Sequence, residues 1–243
     1  NIKNELQRIF RKIKNESEVF NMARVIGDLT GAQVSGGREY PIAAATSIIE
    51  GSLVMLTYGL VVNVAANTTT AILGVAEEYH SGAADIMNAR SNGRKIRIFD
   101  SPSAMIEFTA PQVTATSGNT TTMAATGMGT FADDDFNAGY LKLVSKVAGS
   151  TNTDPVGTLY EITDFTASSD TFTFAAAGGA ITVGDVFSVF PPIAFAKGNF
   201  SATFDQIVLT TADLIPVKIC GWDIPRNKII MSPTLHQNGG KTA

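Results

Sequence analysis

The sequence predicts a mainly β protein: a small β-barrel or sandwich, a second β module, and an N-terminal amphipathic helical arm. Three observations lead there. Short apolar stretches alternate with polar residues and end at Gly or Pro, the pattern of half-buried strands joined by tight turns. Helical spacing of apolar residues appears clearly once, at the N-terminus. Only 16% of the 243 residues are charged, against about 25% in ordinary soluble domains; Gly, Ala, Ser and Thr take up the difference.

The elements follow in chain order. Within 1–24, Ile2, Leu6, Ile9, Phe10 and Ile13 recur at helical spacing and form one apolar face. Arg8, Arg11, Lys12 and Lys14 mostly fill the other face. A short helix is marginal alone in water, so this one needs a surface to dock on. Its own body, a sister copy or another protein would serve. Basic amphipathic helices also lie on membranes, and basic arms also meet nucleic acid; docking on protein is the favoured reading. The expected contacts are Leu6, Ile9, Phe10 and Ile13 for burial, with Arg8, Arg11, Lys12 and Lys14 for charge. Residues 25–39 hold four glycines and little apolar pattern, which reads as a linker or extended arm.

The β pattern begins at Tyr40 and gives a first module over 40–110. Its expected strands run through Leu53-Val54-Met55-Leu56, Leu60-Val61-Val62-Asn63-Val64, Thr70 to Ala76, Lys95 to Phe99, and Ala104 to Phe108. Short strands at Gly and Pro turns suggest a small barrel or sandwich. Pro111 opens a second β module over 111–192. It starts with a Thr-rich stretch and an acidic loop at Asp133-Asp134-Asp135. Expected strands then follow at 140–144, 159–162, 171–174 and 185–189. Residues 193–243 carry three more candidate strands and could complete the first module, with 111–192 inserted. The polar tail from Gln237 is expected to fray. Gly51-Ser52 and Gly184-Asp185 both precede apolar strands, but any hairpin entry looks so, and no duplication follows.

Charge and cysteine usage exclude several classes. The net charge is −4, yet residues 1–24 are net positive, so a basic arm precedes an acidic body. An acidic body argues against a dedicated nucleic-acid domain. A lone cysteine, Cys220, permits neither a disulfide framework nor a CxxC metal site within the chain. It sits in a strand-like run and reads as a buried structural thiol. No apolar run reaches the roughly 20 residues that span a bilayer, and the N-terminus lacks an apolar signal core. The expectation is a protein made in a cytoplasm.

Residues 40–78 carry a resemblance. Tyr40-Pro41-Ile42-Ala43-Ala44-Ala45-Thr46 leads into Ile49-Glu50-Gly51-Ser52-Leu53-Val54. A strand, an Ala/Thr-rich loop and Ile72-Leu73-Gly74-Val75-Ala76-Glu77-Glu78 follow. This resembles the small β-barrel of tailed-phage capsid cement (decoration) proteins. The second module, with Asp134 to Leu141, Tyr160 to Thr163 and Gly184 to Phe187, looks like β modules of phage head and fibre proteins. The resemblance implies a role without catalysis or cofactor on the virion surface. Such a protein binds the major capsid protein at capsomer junctions and stabilises the expanded shell, often as a trimer. It implies no direct contact with nucleic acid or membrane. This chain departs from the shortest cement proteins in its basic arm and second module, which could protrude outward.

The residues themselves point to no catalytic constellation. His80 follows Glu77 and Glu78, which invites a metal reading; a polar loop after a strand is favoured. His236 lies near the tail. No HExxH, GxSxG or P-loop occurs. Asp133, Asp134 and Asp135 offer oxygens to Ca²⁺, but consecutive spacing favours a solvated turn. Gly127-Met128-Gly129 is followed by no helix and is no dinucleotide fingerprint. Phe172, Phe174, Phe187 and Phe190 sit at strand periodicity and read as packing rather than base stacking. A structural virion protein is thus the leading expectation. A head fibre, tail or receptor-binding component is the alternative, and a small β-barrel enzyme the remote one. A receptor binder should show exposed aromatics on its loops.

Overall fold

The computed structural model describes residues 24–28, 37–43, 46–64, 70–80, 95–101, 103–128, 130–200, 206–236 and 240–241. Apart from Arg24, the expected helical arm over 1–24, with Leu6, Arg8, Ile9, Phe10, Arg11, Lys12, Ile13 and Lys14, lies outside these residues. Arg24, the last residue assigned to the arm, instead opens β1 (Arg24–Asp28), so the expected linker begins as a strand.

The first module supplies β2 (Arg38–Pro41), β3 (Leu53–Thr57), β4 (Leu60–Asn63), β5 (Gly74–Ala76), β6 (Lys95–Phe99) and β7 (Ala104–Thr109). Five of these form one sheet in the order β2-β6-β5-β3-β4. Alternation decides its two faces, because successive side chains of a strand point opposite ways. Val54, Ala76, Ile96 and Ile98 join Ile42, Ile48, Val61 and Leu73 in a small core. Leu53, Val75 and Phe99 face the main core instead. The expected barrel does not form, since no sheet closes on itself. Among the described residues, edge strands β2 and β4 are joined by the isolated parallel bridge Ile42↔Val61, where Ala43 N donates to Val61 O at 3.1 Å. Pro41 ends β2 beside that point, and a missing N–H limits further pairing.

The second module adds β8 (Gln112–Thr114), β9 (Ser117–Gly118), β10 (Thr122–Ala124), β11 (Tyr140–Ser145), β12 (Leu159–Thr166), β13 (Thr171–Phe174) and β14 (Val186–Phe190). They form a seven-stranded sheet, β8-β14-β11-β12-β13-β10-β9. Its two edge strands are consecutive in the chain, with only Ala115 and Thr116 between them, so the sheet is strongly curled. Curling gathers Phe165, Phe172, Phe174 and Phe187 inside. Phe136, from the acidic loop, packs among Phe131, Phe165, Phe172 and Phe195 with ring centroids 4.8–5.4 Å away.

The C-terminal part brings β15 (Asn199–Phe200), β16 (Ile207–Val208), β17 (Val217–Asp223), β18 (Lys228–Pro233), β19 (Leu235–His236) and β20 (Gly240–Lys241). β18 pairs antiparallel with β7, giving the sheet β1-β7-β18-β17. The whole second module therefore lies in sequence between two strands that are neighbours in space. One buried cluster runs from Leu53 through the Phe residues to Met231 and joins these parts.

Candidate functional site

The acidic groups singled out in the sequence make hydrogen bonds that shape turns and strands. Asp133 accepts from Ala167 N at 2.8 Å, and Asp134 accepts from Asn137 Nδ2 at 2.7 Å. Asp135 accepts from Ala132 N and pairs with Lys197 Nζ at 2.6 Å. These bonds shape the turn that delivers Phe136 to the core. Glu77 accepts from Gly37 N, and Glu78 accepts from Arg97 N at 2.9 Å. The backbone of His80 bridges Ile48. Among the described residues, no three His, Cys, Asp or Glu side chains gather as a metal set. Cys220 lies in β17, half-buried, where desolvation pushes its thiol pKa up.

Two more polar groups of the second module are clamps. The fully buried Asp185 accepts from Val147 N at 3.0 Å, Ser150 Oγ at 2.9 Å and Thr182 N at 3.0 Å. Tyr160 donates to Asp154 Oδ2 at 2.9 Å and accepts from Asn152 Nδ2 at 3.1 Å. Near the C-terminal sheet, Arg226 bridges Asp223 at 2.6 Å and the buried Glu107 at 3.4 Å.

The surface is apolar at several turns and connections. Tyr58, Tyr79, Ile49, Val156, Val183 and Leu214 are all exposed. Tyr58 stands apart. It is the first residue of the two-residue turn between β3 and β4, and its side chain is fully exposed. Both turn residues are left-handed, Tyr58 at φ 52° and Gly59 at φ 77°. Such turns favour Asn-Gly, since left-handed backbone costs an ordinary L residue about 1–2 kcal/mol. Tyr58-Gly59 is legible in the sequence as a turn, with an aromatic where Asn is favoured.

No family model, curated protein or solved structure matches the chain.

A cleft of about 360 Å³ is lined by β8 and residues 206–210 among others. Gln112, Thr114, Thr116, Thr126, Gln206 and Thr210 supply its polar groups, and Val113 and Ile207 are among its apolar ones. None of the residues lining it is charged. Nothing in the sequence marks this cleft, because its walls come from strands far apart in the chain.

Proposed function

We propose that this chain is a non-enzymatic structural protein of a phage-type virion, a cement protein that binds the major capsid protein of the assembled shell and stabilises it. The observation that carries the reading is Tyr58. An aromatic side chain is held out at a hairpin tip, in a backbone conformation that favours Asn or Gly. Local strain at an exposed residue is a reason to look for function there, and Tyr is enriched among residues that anchor protein interfaces. The resemblance over Tyr40 to Glu78 spans the same hairpin and supplies the class of partner.

Binding only to the assembled shell stabilises that state by mass action. Many copies, as trimers on the lattice, make modest single contacts sufficient. The arm residues Leu6, Ile9, Phe10 and Ile13 add burial, and Arg8, Arg11, Lys12 and Lys14 add charge.

Co-sedimentation with compact and expanded shells of the chain's own particle tests this. Saturable binding at a fixed ratio, stronger on the expanded shell, is expected. In the same assay Tyr58→Asn should bind at least about tenfold more weakly, the scale of an interface anchor. Its free form should be about 1 kcal/mol more stable, since the turn strain is relieved. Absence of binding to either shell refutes the cement role. The exposed Tyr58 and Tyr79 also suit the second reading, a fibre, tail or receptor-binding component, which that negative result would favour.

A further inference from the structure

The cleft beside β8 opens where two neighbouring segments part. Thr109 and Gln206 lie side by side in a parallel bridge. Beyond it one segment turns to β14, with Pro111 O accepting from Val189 N at 2.8 Å. The other turns to β15 through Ile207 and Val208. Residues of both line the cleft, which lies in the wedge between them.

The cleft meets β8 edge-on. Gln112, Val113 and Thr114 all line it, although successive side chains of a strand point opposite ways. The register decides which backbone groups face it. In an antiparallel ladder, hydrogen-bonded and non-hydrogen-bonded pairs alternate. Val189 N donates to Pro111 O and Ala115 N to Asp185 O, so the bonded positions are Pro111, Val113 and Ala115. The N–H and C=O of Gln112 and Thr114 therefore point away from β14. Among the described residues β8 pairs with no other strand. Donors and acceptors at every second residue of an open edge are what an added extended backbone pairs with.

Two features select the occupant. Ala125, Thr126, Met128 and residues 206–210 also line the cleft, so the chain's own body encloses it. A lone extended segment enters such a space, whereas the β8 edge of a second copy would bring its own enclosing residues with it. The lining carries no charge, and a charged side chain seated there would lose hydration without gaining a partner.

We propose that this cleft takes an uncharged, extended peptide segment of a partner protein as an added strand on β8, bonded at Gln112 and Thr114. Main-chain bonds supply the binding, and the uncharged lining supplies the selectivity. The inference rests on β8 and the cleft and does not depend on the cement reading.

Selection of short random displayed peptides on the immobilised full chain is the test. The enriched peptides should share an uncharged core. They should slow amide exchange at Gln112 and Thr114 at least about tenfold, and leave Val113, already bonded to β14, little changed. Thr114→Pro should bind them at least about tenfold more weakly, because it removes one edge donor. Proline is tolerated where an edge N–H points outward, and unchanged protection at Leu141 and Leu143 would show that the variant keeps its fold. If the variant does not fold, the exchange measurement on the unaltered chain decides alone. No enrichment, enrichment of charged cores, unchanged exchange at Gln112 and Thr114, or equal binding by a folded Thr114→Pro overturns the proposal. So does protection of both amides in the peptide-free chain; if that protection rises with protein concentration, a second copy occupies the edge instead.

Discussion

Asp185 illustrates how a single residue of this protein is used. Its carboxylate takes three donors from the turns at 147–150 and 182–185, and none of its own surface reaches water. Asp185→Ala strands those donors, so a loss of about 3 kcal/mol is expected in urea denaturation. Unchanged stability would show that the carboxylate is no clamp. Tyr160 offers a test by pH. Burial pushes its phenol up to about 12, and Asp154, holding the proton, adds to that against the opposing hydrogen bond from Asn152. The unfolded phenol loses its proton near pH 10. The folded state thus retains a proton that the unfolded state releases. The stabilisation is complete below about pH 10 and is lost as pH rises from there to about 12. Tyr160 should therefore show its tyrosinate absorbance late, and Tyr160→Phe should remove that step. Complete titration of the folded chain by about pH 11 would contradict the burial argument.

At the scale of elements, two glycines serve two different purposes. A Cβ on Gly74 would lie 2.0 Å from the carbonyl oxygen of Phe99, so β5 needs glycine for its close approach to β6. A Cβ on Gly59 would meet nothing within 4 Å, and only its left-handed φ requires glycine. Overpacking against backbone costs about 1–3 kcal/mol, whereas the left-handed strain costs about 1–2. Gly74→Ala should therefore sit at the upper end, near 3 kcal/mol, and Gly59→Ala near 1 by denaturant titration. A larger loss for Gly59→Ala would reverse that assignment. Strand positions were largely readable: Lys95–Phe99 buries Ile96 and Ile98 and exposes Lys95 and Arg97, as its alternation required. Strands β8, β9 and β10 were not. Their Thr, Ser, Ala and Gly residues carry little hydrophobic contrast, and partners rather than pattern make them strands. Asn119, whose Oδ1 accepts from Thr121 N and Thr122 N, holds the turn between β9 and β10.

The whole molecule is tied across its modules. Trp222 of β17 donates from Nε1 to Pro191 O at 2.9 Å and packs edge-on against Tyr140 of β11 at 5.5 Å. Lys142 Nζ donates to Ile224 O at 2.8 Å. The main buried cluster is continuous through these contacts. Trp222 is the only tryptophan, so its fluorescence reports this junction. Its unfolding transition should coincide with loss of β circular dichroism, as one cooperative unit requires. A separate, earlier tryptophan transition would show that the second module stands alone.

The candidate site divides in the same way. Tyr58-Gly59 was legible as a turn, but its exposure and left-handed backbone depend on how β3 and β4 pair. The cleft was illegible, since Gln112 and Ile207 meet only when the chain returns past Thr109. By itself the sequence determined that this protein is mainly β, that its charge is uneven, and that most of its strands lie where local alternation puts them. Those are consequences of side-chain period and turn chemistry, which act over a few residues. Only the tertiary structure decided that no sheet closes into a barrel, that β18 rejoins β7, and that the acidic loop delivers Phe136 to the core. Pairings between residues more than a hundred positions apart leave no local trace, because edge hydrogen bonds are made by backbone groups that every residue carries.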